Sequence, residues 1–384
     1  MTIRRQVYLD HAATTPVHPE VVQEMLKVLD VHFGNPSSLH AYGRAANHYL
    51  GVAREKVARL LGANSQEIIF ASGGTEADNL AIMGTARAMQ GKGRHIITSA
   101  IEHHAVLDTC QLLVKKGFEV TFLSVDKDGM VDPDDVKKAI RRDTILITIM
   151  HANNEIGTIE PIPEIGRIAR EYEISFHTDA VETAGYLPLN VDQLGVDLLS
   201  ISAHKIYGPK GAGALYLRQG TQLEPLFHGG GQEKMCRPGT ENIPGIVGLG
   251  KAAEISAREH AGESNRYRKL SEKLINGIQE RIPGAKLNGH PVQRLPHNVN
   301  VSFRGVKGEC LLVGLDQKGI AVSTASACSS GDTKVSHVLE AIGLSPETGA
   351  GTIRMTIGRS TTEDDIDYVL DVLVGLVERL RKQD

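Results

Sequence analysis

The sequence lacks an apolar run that approaches the roughly 20 residues needed to cross a bilayer. Its amino terminus, MTIRRQVYLDHAATTP, carries two arginines but no apolar segment of the kind found in signal peptides, so none is expected. An excess of positive charge is also missing, since the formal net charge is −4. Nucleic acids and anionic membranes attract clustered lysine and arginine. We therefore expect neither nucleic acid nor a membrane as a direct partner.

Cysteine is scarce as well. The four cysteines, Cys110, Cys236, Cys310 and Cys328, lie far apart and form no CxxC pair. This spacing argues against a zinc site and against a disulfide scaffold, so we expect no metal. Reduced, unpaired cysteines are typical of the cytoplasm, which is the predicted location.

What remains is the composition of an ordinary globular protein, with 41% apolar and 23% charged residues. A chain of 384 residues is too long for one small core and favours two domains. Beyond about residue 250 a long polar helical stretch suggests a connector. We predict a large domain over residues 15–260 and a small domain formed by residues 1–14 and 261–384.

Short β-rich runs alternate with helical patterns in the predicted large domain. Buried strands are predicted at 67–72, 95–99, 119–125, 144–151, 174–179, 197–202 and 213–217, because these runs are apolar without polar alternation. Asp132 and Pro133 indicate the start of one intervening helix. The alternation predicts an α/β fold with a mainly parallel sheet covered on both faces. Ligands of such sheets bind at the carboxyl ends of the strands.

The loop SGGTEADNLAIMG follows the first of these strands. Free backbone N–H groups at a helix start, together with Gly74 and the Thr75 hydroxyl, would suit a phosphate. A simple strand-to-helix turn capped by threonine is the alternative, and it is favoured when the loop is considered alone. The pattern matches neither of the common glycine-rich phosphate motifs.

Titratable side chains follow two further strands. His103 and His104 come after 95–99, and because adjacent residues point in different directions, at most one of them is expected to face a site. Asp179 ends the strand 174–179. A buried acid there needs a cationic partner, such as a protonated pyridine nitrogen, or else it caps the next helix. The two interpretations of Asp179 are equally supported.

The segment SISAHKIYGPKGAGALYL contains two lysines after a buried strand. Lys205 directly follows Ser202 and His204, and a desolvated lysine there has the lowered pKa that a Schiff-base amine needs. Lys210 lies in the turn sequence GPKG and is expected to be an exposed charge. A phosphate cradle, an aromatic ring, an amide, an acid and an amine at neighbouring strand ends together indicate pyridoxal phosphate.

Taken together, these motifs make the sequence resemble the cysteine desulfurases of the NifS/IscS group, within the class V aminotransferase-like enzymes. The resemblance extends over essentially the whole chain. It rests on YLDHAATTP, FGNPSSLH, SGGTEADNLAI, EHHAVLDTC, NNEIGT, HTDAV, SAHKIYGPKG, HGGGQE, RPGTEN, SACSSG and IRMTIGR. It implies the pyridoxal-phosphate-dependent transferase fold of type I, with L-cysteine as the substrate and pyridoxal 5'-phosphate as the cofactor.

The resemblance also implies roles for individual residues. Lys205 corresponds to the Schiff-base lysine, His103 to the residue stacked on the cofactor ring, and Asp179 to the acid at the ring nitrogen. The implied phosphate ligands are Thr75, Ser202 and His204, and Gly74 lies beside them. The resemblance also implies a homodimer, in which Thr240 reaches the cofactor of the other subunit. Asn154 and Arg354 correspond to the pair that binds the substrate carboxylate, and arginine suits this task because it binds carboxylates bidentately.

Cys328 lies in STASACSSGD, a segment of small residues that bury little surface. A lone cysteine is most often a small buried residue, but this setting favours a reactive thiol. In the family this position is the nucleophile that takes the sulfur as a persulfide. The implied acceptors are proteins of iron–sulfur cluster assembly or tRNA thiolation. The other three cysteines are expected to be unreactive.

One residue departs from the family pattern. Glu182 occupies a position where the family usually has glutamine, whose amide donates to the phenolate oxygen of the cofactor. A carboxylate cannot donate unless it is protonated, so Glu182 is expected either to hold a proton or to turn away.

The rival functions are a selenocysteine lyase or another enzyme of the same fold, such as an aminotransferase, and a non-catalytic scaffold. An aminotransferase would have no use for Cys328, and a scaffold would have no use for Lys205.

Overall fold

The computed structural model describes residues 5–324 and 336–382, so Cys328 lies outside the described residues. Its strands are β1 (Val7–Tyr8), β2 (Ile68–Ala71), β3 (His95–Ser99), β4 (Glu119–Leu123), β5 (Thr144–Thr148), β6 (Ser175–Asp179), β7 (Leu198–Ser202), β8 (Gly213–Leu217), β9 (Ala285–Leu287), β10 (Asn298–Phe303), β11 (Ile320–Ala321), β12 (Ser323–Thr324) and β13 (Thr352–Thr356). Its helices are α1 (Pro19–Leu26), α2 (Ala41–Leu61), α3 (Gly74–Met89), α4 (His104–Lys115), α5 (Pro133–Ala139), α6 (Ile162–Glu171), α7 (Val191–Leu194), α8 (Ile243–Arg281), α9 (Gly308–Asp316), α10 (His337–Ala341), α11 (Pro346–Ala350) and α12 (Glu363–Arg381).

The largest sheet has seven strands in the order β2-β8-β7-β6-β5-β3-β4. Neighbours from β7 through β4 run parallel, whereas β8 pairs antiparallel with both β7 and β2. The predicted α/β fold with a mainly parallel sheet is confirmed. Its strands coincide with the seven predicted runs to within a few residues.

The prediction that every strand of this sheet is buried was wrong for β4. Glu119 is exposed, Phe122 is 39% exposed, and only Leu123 is buried. β4 lies at one edge of the sheet, where it has a single neighbouring strand among those described. Edge position is not sufficient by itself, because β2 at the opposite edge is fully buried, and there the Glu233 carboxylate accepts the backbone N–H of Phe70.

Side-chain caps fix the starts of two helices, and the start of α5 is the predicted one. The Asp132 carboxylate accepts the backbone N–H of Asp134 at 2.9 Å, and Pro133 is the first residue of α5. Thr362 and Asp365 form a reciprocal capping box at the start of α12. These caps satisfy N–H groups that have no partner within the helix.

The long helix α8 connects two hydrophobic cores. Ile246 and Leu249, near its start, pack into the core around the seven-stranded sheet. Tyr267 and Leu274, further along, pack into a second core built on the antiparallel sheet β12-β13-β10-β9. The predicted boundary near residue 260 therefore falls within one continuous helix, and the domain limits stay a prediction.

The amino-terminal segment reaches from the second core toward the first. Strand β1 pairs in parallel with β11, and Asp10 then bridges to Thr356, the last residue of β13. The backbone N–H of Thr15 donates to the carbonyl of His204 at 2.9 Å. Residues 10–15 thus lie between the two sheets.

Within the described ranges, no helix has both the length and the apolarity needed to cross a membrane.

Candidate active site

A cavity of about 450 Å³ lies at the carboxyl ends of the parallel strands. It is lined by ten of the residues that the sequence singled out, Gly74, Thr75, His103, Asn154, Asp179, Glu182, Ser202, His204, Lys205 and Arg354. Thr240 is exposed and does not line this cavity. Since parallel strands end at one edge of a sheet, residues far apart in the chain meet here.

Lys205 ends a short helical turn, Ala203–Lys205, that directly follows β7. The turn is tight, because a Cβ on Gly208 would lie 2.9 Å from the carbonyl oxygen of Ala203. The Lys205 side chain is 13% exposed. Its Nζ donates to the carbonyl oxygen of Ala12 and lies 2.5 Å from Oε1 of Glu182. The amine is therefore fixed in the cavity by one neutral and one anionic acceptor.

Glu182 therefore does not turn away from the site. Its carboxylate faces the cavity, its side chain is 6% exposed, and its charged partner is the Lys205 amine. A glutamine at this position would accept a hydrogen bond from Lys205 but would not balance its charge. The departure from the family pattern thus creates a buried ion pair on the candidate reactive lysine.

Asp179 occupies the end of β6. Its Oδ1 accepts the backbone N–H of Val181 at 2.9 Å, so it caps the following turn while also lining the cavity. In the described chain the next helix begins only at Val191, so the helix-cap interpretation was wrong in detail, and pairing with a ring nitrogen stays a prediction. Burial raises the pKa of Asp179 to about 6, although the Val181 hydrogen bond and the charge of Lys205 oppose the shift.

A second buried acid, Asp78 of α3, also lines this cavity, and sequence reasoning missed it. Burial and the neighbouring charge of Asp179 raise the pKa of Asp78 well above its usual range. Its Oδ1 lies 3.6 Å from Nε2 of His177, a fully buried ring whose pKa burial lowers to about 3. A neutral His177 gives no counter-charge. Asp78 therefore favours the protonated, neutral form.

His103 forms the amino-terminal cap of α4. Its Nδ1 accepts the backbone N–H of Ala105 at 3.1 Å, which leaves the ring proton of the neutral form on Nε2. Burial and the positive charge of Lys205 lower the pKa of His103. His104 is exposed and lies 3.7 Å from Asp108, so only one of the two histidines lines the cavity, as expected.

The other end of the cavity has the features of an anion site. The hydroxyl of Ser202 is buried and has no hydrogen-bond partner within residues 5–324 and 336–382. Gly74 begins α3, and a Cβ there would lie 2.7 Å from Val181, so the backbone is packed closely. Burial, followed by the charges of Lys205 and Lys210, lowers the pKa of His204 to about 4. The uncharged side chains of Ser202 and His204 and the first backbone N–H groups of α3 therefore lie at the same end of the cavity.

Arg354 enters the cavity from β13 of the small sheet and is only 4% exposed. Its guanidinium donates to the backbone carbonyl of Asn154 at 3.0 Å and to Oδ1 of Asp10 at 3.2 Å. Among the residues that the structure describes, the Nε of Arg354 is buried without a partner. Sequence reasoning missed Asp10, although its motif YLDHAATTP was recognised.

The described cysteines fit the expectation of low reactivity in part. Burial raises the pKa of the Cys110 thiol to about 12 and also raises the pKa of Cys236. Cys310 is exposed on α9. Ser323, the first residue of β12, lines the cavity five positions before Cys328.

Across the part of the chain that the structure describes, no three histidine, cysteine or acidic side chains are arranged to hold a metal ion.

The chain matches the class-V aminotransferase family over residues 7–369. It belongs to that family. A protein named cysteine desulfurase IscS from Dictyoglomus turgidum is 56% identical over 99% of this chain and 96% of the relative. The protein of the same name from Methanosarcina thermophila is 54% identical over 99% and 94%. The predicted resemblance is thus confirmed.

Solved structures agree with this assignment. A structure titled NifS-like protein has a TM-score of 0.92, with 39% identity over 98% of this chain and all of the other chain. A second, titled SspA in complex with cysteine, has a TM-score of 0.83, with 40% identity over 92% of this chain and 99% of the other. The predicted fold of type I is confirmed by these neighbours.

Proposed function

We propose that this class-V family member is a pyridoxal-phosphate-dependent cysteine desulfurase, which converts L-cysteine to L-alanine and keeps the sulfur as a persulfide on Cys328. The observation that carries the proposal is the Lys205 amine, fixed in a cavity with an acid at one side and an unsatisfied anion site at the other. The names of the two relatives that are 56% and 54% identical support the same reaction.

The residues of the cavity fit the proposed cofactor. The buried, partnerless Ser202 hydroxyl and the start of α3 would hold its phosphate, together with Thr75 and His204. Asp179 would pair with its ring nitrogen, and His103 would lie against the ring. Once bound through Lys205, pyridoxal phosphate supplies an electron sink for the charge left on the substrate carbon.

Arg354 would bind the substrate carboxylate. Its buried Nε has no partner in the described ranges and Asp10 holds the other side of the guanidinium, so the charged group is oriented before the substrate arrives. Asn154 would add an amide donor beside it, because its backbone carbonyl is already bound by Arg354. Preorganised donors of this kind lower the entropic cost of binding.

Proton transfer would use Nζ of Lys205, which already contacts the Glu182 carboxylate. The neutral ring of His103 can accept or return a proton nearby. In the proposed reaction the carbon–sulfur bond of cysteine breaks and a sulfur–sulfur bond forms at Cys328. The carbon takes up the proton that the Cys328 thiol gave up, and L-alanine leaves.

The oligomeric state, the cellular location and the sulfur acceptor are also proposals. We infer a homodimer in which Thr240 reaches the partner's cofactor, a cytoplasmic location, and a sulfur acceptor of iron–sulfur assembly or tRNA thiolation. Exposure of Thr240 on the described surface is compatible with such a contact.

The deciding experiment measures L-alanine and persulfide in purified protein supplied with pyridoxal phosphate and L-cysteine. Lys205→Ala should lose the bound-cofactor absorbance and nearly all alanine. The matched control is Lys116→Ala, which removes an exposed lysine at the end of α4 and should keep both. Normal turnover in Lys205→Ala, or keto acid in place of alanine from the wild type, would contradict the proposal.

A further inference from the structure

Four polar side chains share one face of the large sheet. Thr148 of β5 is the register partner of His177 in β6, and Asp179 of β6 is the partner of Ser200 in β7. Register partners in parallel strands project to the same face, as do residues two positions apart in one strand. Thr148, His177 and Ser200 are fully buried, whereas Asp179 lies at the strand end and lines the cavity. A polar layer thus extends from the candidate active site into the core.

Helix α3 covers this face of the sheet. Ile82 packs in one cluster with Leu146 of β5, and Ala81 packs in another with Leu198 of β7. Asp78 lies one turn nearer the start of α3, on the same side of the helix as these two residues. It is 1% exposed and lines the candidate active-site cavity. A polar group so deeply buried is costly unless it is hydrogen-bonded, so the partners of Asp78 decide what it can do.

The buried polar side chains form one hydrogen-bonded chain that ends at Asp78. Thr148 Oγ1 lies 2.8 Å from Nδ1 of His177, and Nε2 of His177 lies 3.0 Å from Oγ of Ser200. Ser200 also hydrogen-bonds to the Asp78 carboxyl, and this contact opposes the rise in the pKa of Asp78. A contact with that effect is one in which Ser200 donates. The Ser200 oxygen then accepts the Nε2–H of His177, and Nδ1 of His177 accepts the Thr148 hydroxyl.

The Oδ1 atom of Asp78 is left out of this chain. It is buried and has no hydrogen-bond partner within residues 5–324 and 336–382. The chain delivers a donor to Asp78 and takes none from it, so the proton of the neutral carboxyl is available for another acceptor. Among the charged groups that act on Asp78, Asp179 is the strongest and Glu102 the next. Of these two only Asp179 lines the same cavity, so Asp179 is the acceptor that this arrangement offers.

The Asp179 carboxylate has capacity for a further donor. In the described part of the chain, its one hydrogen bond comes from the backbone N–H of Val181, at 2.9 Å. An ionised carboxylate accepts at both of its oxygens. A hydrogen bond to the ionised form stabilises that form and lowers the pKa of the acid.

We infer that Asp78 is a positioning residue that donates a hydrogen bond to the Asp179 carboxylate and so keeps Asp179 ionised for the ring nitrogen of the cofactor. The inference rests on the proposed function, which places that nitrogen at Asp179. An ionised Asp179 favours the protonated ring nitrogen, and the electron sink depends on that proton. Without the donor at Asp78, Asp179 becomes the stronger base, and the proton should move from the nitrogen to Asp179.

The first measurement uses cofactor-free protein. Infrared spectroscopy at pH 7 should show the carbonyl stretch of a buried protonated carboxyl group that disappears in Asp78→Asn. Burial raises the pKa values of Glu102 and Glu160 to about 8, so these acids contribute similar signals, which Asp78→Asn should leave in place. If no band is lost, Asp78 is ionised and cannot donate, and the inference is overturned.

The second measurement is NMR of the ring nitrogen in protein loaded with isotope-labelled pyridoxal phosphate. Wild type and Asp78→Asn should both show a protonated nitrogen, since an amide donates as a neutral acid does. Asp78→Ala suits a helix but has no donor, so its signal should shift toward the unprotonated form. Its kcat should fall about tenfold or more, the value of a hydrogen bond to a charged group. Its KM for L-cysteine should stay within about twofold of wild type, because Arg354 is unchanged.

The matched control is Glu102→Gln. Glu102 is another fully buried acid near Asp179, but it does not line the cavity. Its Oε1 accepts from the hydroxyl of Ser99 at 2.6 Å and from the backbone N–H of Met150 at 2.9 Å, and a glutamine oxygen can accept both. Glu102→Gln should therefore leave the ring-nitrogen signal and kcat unchanged.

Equal nitrogen signals in wild type and Asp78→Ala would overturn the inference and leave the proposed function intact. An equal shift in Asp78→Asn and Asp78→Ala would overturn it too, since it would show that a charge rather than a donor is needed at this position. A shift of the same size in Glu102→Gln would show a general effect of buried acids and would also count against it. Absence of bound cofactor in wild type would instead refute the proposed function.

Discussion

The Lys205–Glu182 pair predicts an unusual response of stability to substitution in the cofactor-free protein. Lys205→Met keeps most of the aliphatic stem but leaves the Glu182 carboxylate buried without a cation. Removing one partner of a fully buried ion pair costs about 3–5 kcal/mol. Here the carboxylate borders a cavity of about 450 Å³ that admits water, so we expect a smaller loss, about 2 kcal/mol.

Adding Glu182→Gln to Lys205→Met should then raise stability, because a neutral amide is cheaper to bury than an unpaired carboxylate. The same substitution in wild type should lower stability by about 1 kcal/mol, since the amide oxygen still accepts from Lys205 but no longer balances its charge. The effect of Glu182→Gln thus changes sign with the residue at 205. A double-mutant cycle measures this coupling.

Calorimetric melting of the four cofactor-free proteins at pH 7 provides the measurement. An unfolding entropy of about 2 cal/mol/K per residue makes ~1 kcal/mol correspond to about 1.2 °C in a chain of 384 residues. Lys205→Met should melt about 2–3 °C below wild type, and the double variant should recover about half of that loss. If Glu182→Gln lowers the melting temperature equally in both backgrounds, the two side chains do not interact and the reasoning fails.

Three further predictions concern single positions. Cys328→Ser should bind the cofactor, and its cofactor absorbance should change on addition of L-cysteine, but no persulfide should form. Mass spectrometry of wild type should find the added sulfur on the Cys328 peptide. Added sulfur on Cys110, whose buried thiol has its pKa raised to about 12, would contradict this. Ser202→Ala should weaken cofactor affinity about fivefold, the value of one hydrogen bond. It should not lower the melting temperature of cofactor-free protein, because the buried hydroxyl has no partner there among the described residues; an equal loss in both measurements would count against this. Burial raises the pKa of Asp179 from 3.8 to about 6, so its ionisation costs the cofactor-free fold about 3 kcal/mol above that pH. Asp179→Asn should therefore melt at a higher temperature than wild type at pH 8, and this advantage should shrink as the pH falls from 6 to 4 and be absent below pH 4. A difference in melting temperature that does not depend on pH would rule this out.

The residues that the sequence predicted best are those at the ends of parallel strands. Asp179 and Lys205 each follow a buried apolar run, and the edge they share is a consequence of parallel pairing between β6 and β7. Their proximity needed no knowledge of side-chain packing. His103 and Thr75 follow β3 and β2 in the same way.

Asp78 could not be predicted in this way. It lies within α3 rather than at its start, at a position where a helical pattern gives equal reason to expect a solvent-exposed acid. Its burial depends on the packing of α3 against the sheet beneath Asp179, which a local pattern does not encode. The exposed edge strand β4 illustrates the opposite case, because its apolar residues gave no sign that one neighbour would be missing.

Asp10 shows why the substrate side of the site was harder to predict than the cofactor side. Its partner Arg354 is 344 positions away, and the two meet because β1 pairs with β11 and Asp10 bridges to the end of β13 before the chain crosses to the large sheet. The same crossing brings the carbonyl of Ala12 to the Lys205 amine. Residues 10–12 therefore connect the guanidinium proposed to bind the substrate carboxylate with the amine proposed to hold the cofactor. A shift between the two cores would alter both contacts at once, so the packing of α8 across both cores contributes directly to the geometry of the site.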